Sequence, residues 1–186
     1  MKQTHSYSSP SLKQQKQSNN IYGIKFHEKN PNIFFTGGWD EIIYVWDMRS
    51  PTFYANYLTG PFVCSETLDI KDDKLLTGSW RRKNQIELWD LRRFRKIEDL
   101  DWNSNNNSTV QVCKFGRMDS KNIMAAGVNG SGMQIFKEEE GIWKKIECLD
   151  MQDDADYYTA DFANLNSLDI SVGNSKGHLL MLNFLK

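Results

Sequence analysis

From Ile21 onward, hydrophobic and polar residues alternate in short runs, and Gly, Asn, Asp or Pro interrupts each run after a few positions. A period of two sends successive side chains to opposite faces of an extended backbone, so these runs predict β-strands. No stretch holds a period of 3.6 long enough to predict a helix. Residues 1–20 behave differently. They are rich in Gln, Ser, Lys and Asn, with Pro10 in the middle, and such a segment cannot bury enough apolar area to offset its ordering entropy. It is expected to be a disordered polar tail.

The strand pattern repeats. Segments 21–48, 63–91, 110–136 and 157–184 each open with an alternating strand, turn, run into a second strand ending at a glycine, and close with a third. The glycines are Gly37, Gly78, Gly127 and Gly173, spaced 41, 49 and 46 residues apart. Fourth-strand candidates lie between the units, at 52–58, 94–100 and 142–149. Four short antiparallel strands in about 40 to 50 residues is the period of a propeller blade.

Two units end their third strand in a Trp-Asp pair, Trp46-Asp47 and Trp89-Asp90, and Thr36-Gly37-Gly38-Trp39-Asp40 precedes the first of them. On these residues the chain resembles the WD-repeat β-propeller family across residues 21–184. The line from Thr36 to Trp102 is also similar to protist WD-repeat proteins of unassigned function. The motif is strong in the first two units. In the last two it is degenerate, with Phe136 and Leu182 at the tryptophan position. The fold expected is therefore all-β, a partial WD-type β-propeller of about four blades at 21–60, 62–101, 108–149 and 157–186, the last lacking its fourth strand.

The resemblance also implies a hydrogen-bonded chain within a blade. Thr36, Asp40 and Trp46 occupy three of its positions, while the upstream histidine position falls near Gln17. In the second unit Thr77 and Trp89 match but Arg81 stands where the Asp belongs, so the polar chain is expected in one blade at best.

Four blades are about half of what the family normally closes. An open stack leaves an apolar face at each end, at a cost on the order of 10 kcal/mol per face, and Tyr22, Ile24 and Phe26 are not polar caps. Three situations remain open: a fragment of a longer product, half of an assembly completed by a second chain, or a genuine short propeller.

Charge narrows the function. Formal net charge is −1, with 23 Lys and Arg against 24 Asp and Glu, so a basic excess that would favour nucleic acid is missing. No apolar run approaches membrane-spanning length and no signal-peptide pattern opens the chain. An intracellular, cytoplasmic protein with neither membrane nor nucleic-acid partner is expected. Cys64, Cys113 and Cys148 are far apart and suggest neither disulfides nor a zinc site; they read as buried small hydrophobes. Asp72-Asp73 and Asp153-Asp154 read as solvated turns. The three histidines, His5, His27 and His178, support no catalytic triad, and no metal or cofactor is implied.

Those exclusions leave a non-catalytic protein-protein interaction scaffold whose partners are other proteins. Candidate partner-binding residues are Trp39, Asp40, Trp80, Arg81 and Arg82 in the turns after second strands, because Trp and Arg most often anchor interfaces. Arg49 and Arg92 complete Trp-Asp-x-Arg in two consecutive units. That pattern resembles substrate receptors of cullin-type ubiquitin ligases, where the Arg reaches an adaptor, and makes such a receptor the alternative function.

Overall fold

A computed structural model of the chain describes residues 20–50, 54–102, 108–118, 120–129, 132–149, 155–163 and 169–183. The expected tail at 1–20, apart from Asn20, and the acidic pair at 153–154 lie outside the described residues.

Four antiparallel sheets follow one another along the chain, each in sequence order. The first holds β1 (Ile21–Phe26), β2 (Ile33–Gly38), β3 (Ile42–Asp47) and β4 (Tyr54–Thr59); the second holds β5 (Leu68–Lys71), β6 (Lys74–Gly78), β7 (Ile86–Asp90) and β8 (Arg95–Leu100). The third holds β9 (Thr109–Phe115), β10 (Asn122–Val128), β11 (Met133–Glu139) and β12 (Ile142–Leu149). The fourth holds only β13 (Tyr157–Phe162), β14 (Ile170–Asn174) and β15 (Leu179–Leu182) among the described residues. Tight turns set the registers. Asp72 and Asp73 both take positive φ, 49° and 61°, as a two-residue hairpin loop of type I′ requires.

The sheets are not joined edge to edge. Each buries one face against the next, and three apolar clusters mark the junctions. Phe35, Ile43 and Val45 of the first sheet meet Leu68, Ile70, Leu75 and Trp89 of the second. Leu76, Ile86 and Leu88 of the second meet Cys113, Phe115, Ile123 and Phe136 of the third. Met124, Ala126 and Ile135 of the third meet Ala160, Phe162, Ile170 and Val172 of the fourth. The interior sheets are thus apolar on both sides, because both of their faces are covered.

Registers align the four units residue by residue. Phe34 pairs with Trp46, Leu75 with Trp89, Ile123 with Phe136 and Ile170 with Leu182. Counting three residues on from the first member of each pair gives Gly37, Gly78, Ala126 and Gly173. The third unit's repeating position is therefore Ala126 and not Gly127, which lies one residue further, past a register shift between β10 and β9. The same shift separates Gly37 from Gly38 in the first unit, so Gly127 aligns with Gly38.

Close approach explains the glycines. A Cβ on Gly37 would come within 2.8 Å of Val63 and 2.7 Å of Ile43, and one on Gly78 within 2.8 Å of Val110. Val63 precedes the second sheet and Val110 opens the third, so each wedges its sheet onto the one before. A Cβ on Gly173 meets only the Thr159 side chain at close range, 3.1 Å. Gly78→Ala is expected to lower stability by about 1–3 kcal/mol through overpacking, a drop in melting temperature of several degrees by differential scanning calorimetry. Gly173→Ala is expected to shift the melt by no more than about one degree, the change that a fraction of a kcal/mol produces in a domain of this size.

Candidate functional site

Antiparallel order divides the connections between two rims. The β2–β3 and β6–β7 turns and the β4–β5 link lie on one; the β1–β2, β5–β6, β3–β4 and β7–β8 turns lie on the other. Trp39, Asp40, Trp80, Arg81 and Arg82 therefore share a rim, while Arg49 and Arg92 occupy the opposite one.

On the first rim the rings form a column. Trp39 stacks on Tyr22 at 5.0 Å and on Phe62 at 5.7 Å, with interplanar angles of 20° in both pairs. Its indole N–H donates to the Cys64 sulfur. Trp80 is tied to the end of this column through the backbone alone, its N–H donating to the Phe62 carbonyl at 3.2 Å. Ser79 Oγ fixes this corner by accepting from the Phe62 N–H at 2.8 Å and the Arg81 N–H at 3.3 Å. Trp39 is 45% exposed and Trp80 40%. Tyr22 and Phe62 were not among the residues expected from sequence. Phe62 sits in a link between units, where strand periodicity carries no information about neighbours.

Arg81 is turned inward. Its guanidinium meets Glu87 at 2.8 Å, and Lys96 approaches the same carboxylate oxygen at 3.4 Å. Glu87 is buried, and its other carboxylate oxygen has no hydrogen-bond partner among the described residues; a Cβ on Gly60 would lie 3.3 Å from that oxygen. Burial pushes the Glu87 carboxyl above its ordinary 4.5, opposed by Arg81 and then Lys96. Arg82, by contrast, is exposed.

The polar chain inside the blades differs from expectation. Trp46 donates to Thr36 Oγ1 at 2.8 Å, and Trp89 donates to Thr77 Oγ1 at 3.1 Å. The indole–hydroxyl bond is therefore present in two blades rather than one. Arg81 does not prevent it, because its charge is met by Glu87 on β7 instead of by the threonine-tryptophan pair.

On the opposite rim both Trp-Asp-x-Arg arginines engage carboxylates of their own chain. Arg49 reaches Asp47 through Nε at 2.9 Å and Nη2 at 2.6 Å, which holds the Asp47 carboxyl at about 2. Arg92 reaches Asp73 through Nε at 3.1 Å and Nη2 at 2.6 Å, lowering the Asp73 carboxyl. Lys29 and His27 also face Asp73, each at 3.5 Å. Asp72 accepts the Ser120 N–H at 3.2 Å. The Asp72-Asp73 turn is solvent-exposed at Asp72, as expected, and also joins units, since Lys29 of the first sheet and the Ser120 amide of the third approach it.

The innermost strands β1, β5, β9 and β13 line a groove of about 400 Å³. Lys25, Asp69, Lys114 and Asp161 take one register position there, opposite Phe35, Leu76, Met124 and Ser171. Lys25 pairs with Asp69 at 2.7 Å and Lys114 approaches Asp161 at 3.9 Å. Asp69 also accepts the Phe115 N–H at 2.9 Å. The alternating signs were present in the sequence, but only the four-unit register brings them into one arc.

Sheets packed face to face, with a shared inner groove and two rims of turns, make this chain an arc of a β-propeller. No family profile matches the chain. A chain in the "Crystal Structure of Mitotic Checkpoint Complex" is similar at 17% identity and TM-score 0.75, over 92% of this chain and 51% of that one. The β-propeller domain of Cps50 (Swd1) from Myceliophteria thermophila is similar at 15% identity and TM-score 0.69, over 88% of this chain and 54% of that one. The computationally designed Ika4 protein is similar at 15% identity and TM-score 0.73, over 100% of both chains. The chain spans about half the length of the first two. None of the described residues forms a helix long and apolar enough to cross a membrane.

Glu87 gives a pH signature. Its folded-state pKa is raised, so the folded chain holds the proton more tightly than the unfolded one. The stabilising contribution is complete below the ordinary value of 4.5 and is lost as pH rises through the folded value. Glu87→Gln is expected to flatten this decline in urea-melt stability relative to the parent chain over that window. Asp73→Asn acts at lower pH and with opposite sign, removing stability that is present above the ordinary aspartate range.

Proposed function

We propose that this chain is a non-catalytic protein-interaction scaffold that holds a segment of another protein on the rim carrying Tyr22, Trp39, Phe62 and Trp80. The observation that carries this reading is the stacked column of Tyr22, Trp39 and Phe62, with Trp39 and the neighbouring Trp80 half exposed on the same rim. Stacking fixes the rings in place, so a partner that covers them loses little side-chain freedom on the scaffold's side. Tryptophan is also the residue most enriched among those that dominate binding energy. Among the candidates named from sequence, Trp39, Trp80 and the exposed Arg82 lie on that rim, and Arg81 supports it from beneath through Glu87.

Nucleic acid is a poorer occupant, because net charge is −1 and Arg81 is already paired. The ligase-receptor reading needs Arg49 and Arg92 released from Asp47 and Asp73, and no observation favours that release.

The test begins with partners cross-linked to the chain in extract of its source and then re-measured as purified components. Trp39→Ala with Trp80→Ala is expected to weaken binding by about 30-fold, equivalent to about 2 kcal/mol, with an unchanged circular dichroism spectrum. Arg49→Ala with Arg92→Ala is expected to leave affinity unchanged. A partner that binds the tryptophan variant as tightly as the parent chain overturns the rim assignment.

A further inference from the structure

Both ends of the arc present faces built like its interior. At the interior junctions, the third-strand positions facing the following sheet hold Ile43 and Val45, Ile86 and Leu88, and Met133 and Ile135, all buried. The same register positions in the fourth sheet are Leu179 and Met181, opposite Gly173 and Ser171, and these are 72% and 78% exposed. The opposite end shows the same mismatch. Leu68 and Ile70, Cys113 and Phe115, and Ala160 and Phe162 face the preceding sheet and are buried, while their counterparts Ile24 and Phe26 are 61% and 53% exposed.

Charge says what fits between these ends. Around the inner groove the signs run Lys25, Asp69, Lys114, Asp161, with Lys25 pairing Asp69 at 2.7 Å across the first junction and Lys114 approaching Asp161 at 3.9 Å across the third, where Arg117 also meets Asp161 at 2.8 Å; Lys114 meets Glu66 at 2.8 Å across the second. Across the second junction the order reverses, and Asp69 accepts the amide of Phe115. At this one inner position the signs therefore alternate from blade to blade around the arc. The next blade after Asp161 should offer a lysine at the position of Lys114 and an inner-strand amide at that of Phe115. The first sheet of this same chain has Lys25 and Phe26 at those positions.

We infer that two copies of this chain close one eight-blade ring, the fourth sheet of each packing on the first sheet of the other. Two identical head-to-tail junctions related by a twofold axis leave no open face, and eight blades lie within the range of closed propellers. At each junction Leu179 and Met181 cover Ile24 and Phe26, and Asp161 faces Lys25, continuing the alternation without a break. This assembly goes beyond the rim reading and does not depend on it.

Sedimentation equilibrium of the purified 186-residue chain at micromolar concentration tests it. The expected mass is twice the 21.6 kDa of one chain. Met181→Glu and Ile24→Glu replace side chains that one copy already exposes, so each should halve the mass while leaving the circular dichroism spectrum intact. A zero-length carbodiimide cross-link between Lys25 and Asp161 should appear in the parent chain and, in a mixture of isotope-labelled and unlabelled protein, join one copy to the other. A folded monomer, an open-ended polymer, or a dimer indifferent to both substitutions overturns the ring.

Discussion

A short antiparallel sheet that is apolar on both faces has one stable option, which is to be sandwiched. Burying such surface contributes about 25 cal/mol per Å², and a sheet covered on one side alone reaches only part of that gain. Here the constraint is met serially. Each sheet closes on the one before through side chains of its first three strands, and valines in or beside the links seat against glycines of the preceding sheet. Everything else follows from that stacking: the inner strands converge on one groove, and the turns are left at two rims where they are free of the core.

The same stacking decides where charge can go. An ionised group inside a junction must be paired, because desolvation disfavours the charged form. Asp69 is held by Lys25 from one neighbour and by an amide from the other, and Asp73 by cations from its own sheet and the preceding one. Glu87 is the least satisfied, with two cations on one oxygen and none on the other, and burial raises its pKa against the pull of Arg81 and Lys96. Charged residues thus act here as registers between sheets, each reading whether its neighbour is in place.

Much of the fold was legible because strands announce themselves by alternation and repeats by spacing. The third strands at 42–47, 86–90 and 179–182 match the observed β3, β7 and β15. What the pattern could not reveal is which residues of different sheets meet. Tyr22 and Phe62 flank Trp39 only after two links have turned, and Arg81 finds Glu87 across a hairpin. Spacing also misled at Gly127, which the strand registers align with Gly38 and not with Gly37. Trp39 and Trp80 could be assigned to turns after second strands from sequence, yet which side chains stand free and which are engaged is a property of packing.

The fading of the motif along the chain has a physical logic of its own. Thr36 and Thr77 accept the indole N–H of Trp46 and Trp89. At the same register positions the third sheet has Ala125 with Phe136, and the fourth has Val172 with Leu182. Donor and acceptor disappear together. Losing only the hydroxyl would leave a buried indole N–H without a partner, a penalty of about 1–3 kcal/mol, whereas replacing both by apolar groups is nearly neutral. The last two blades therefore keep the shape of the first two while exchanging a hydrogen bond for packing, which is how a sheet can depart from the Trp-Asp pattern and still take its place in the stack.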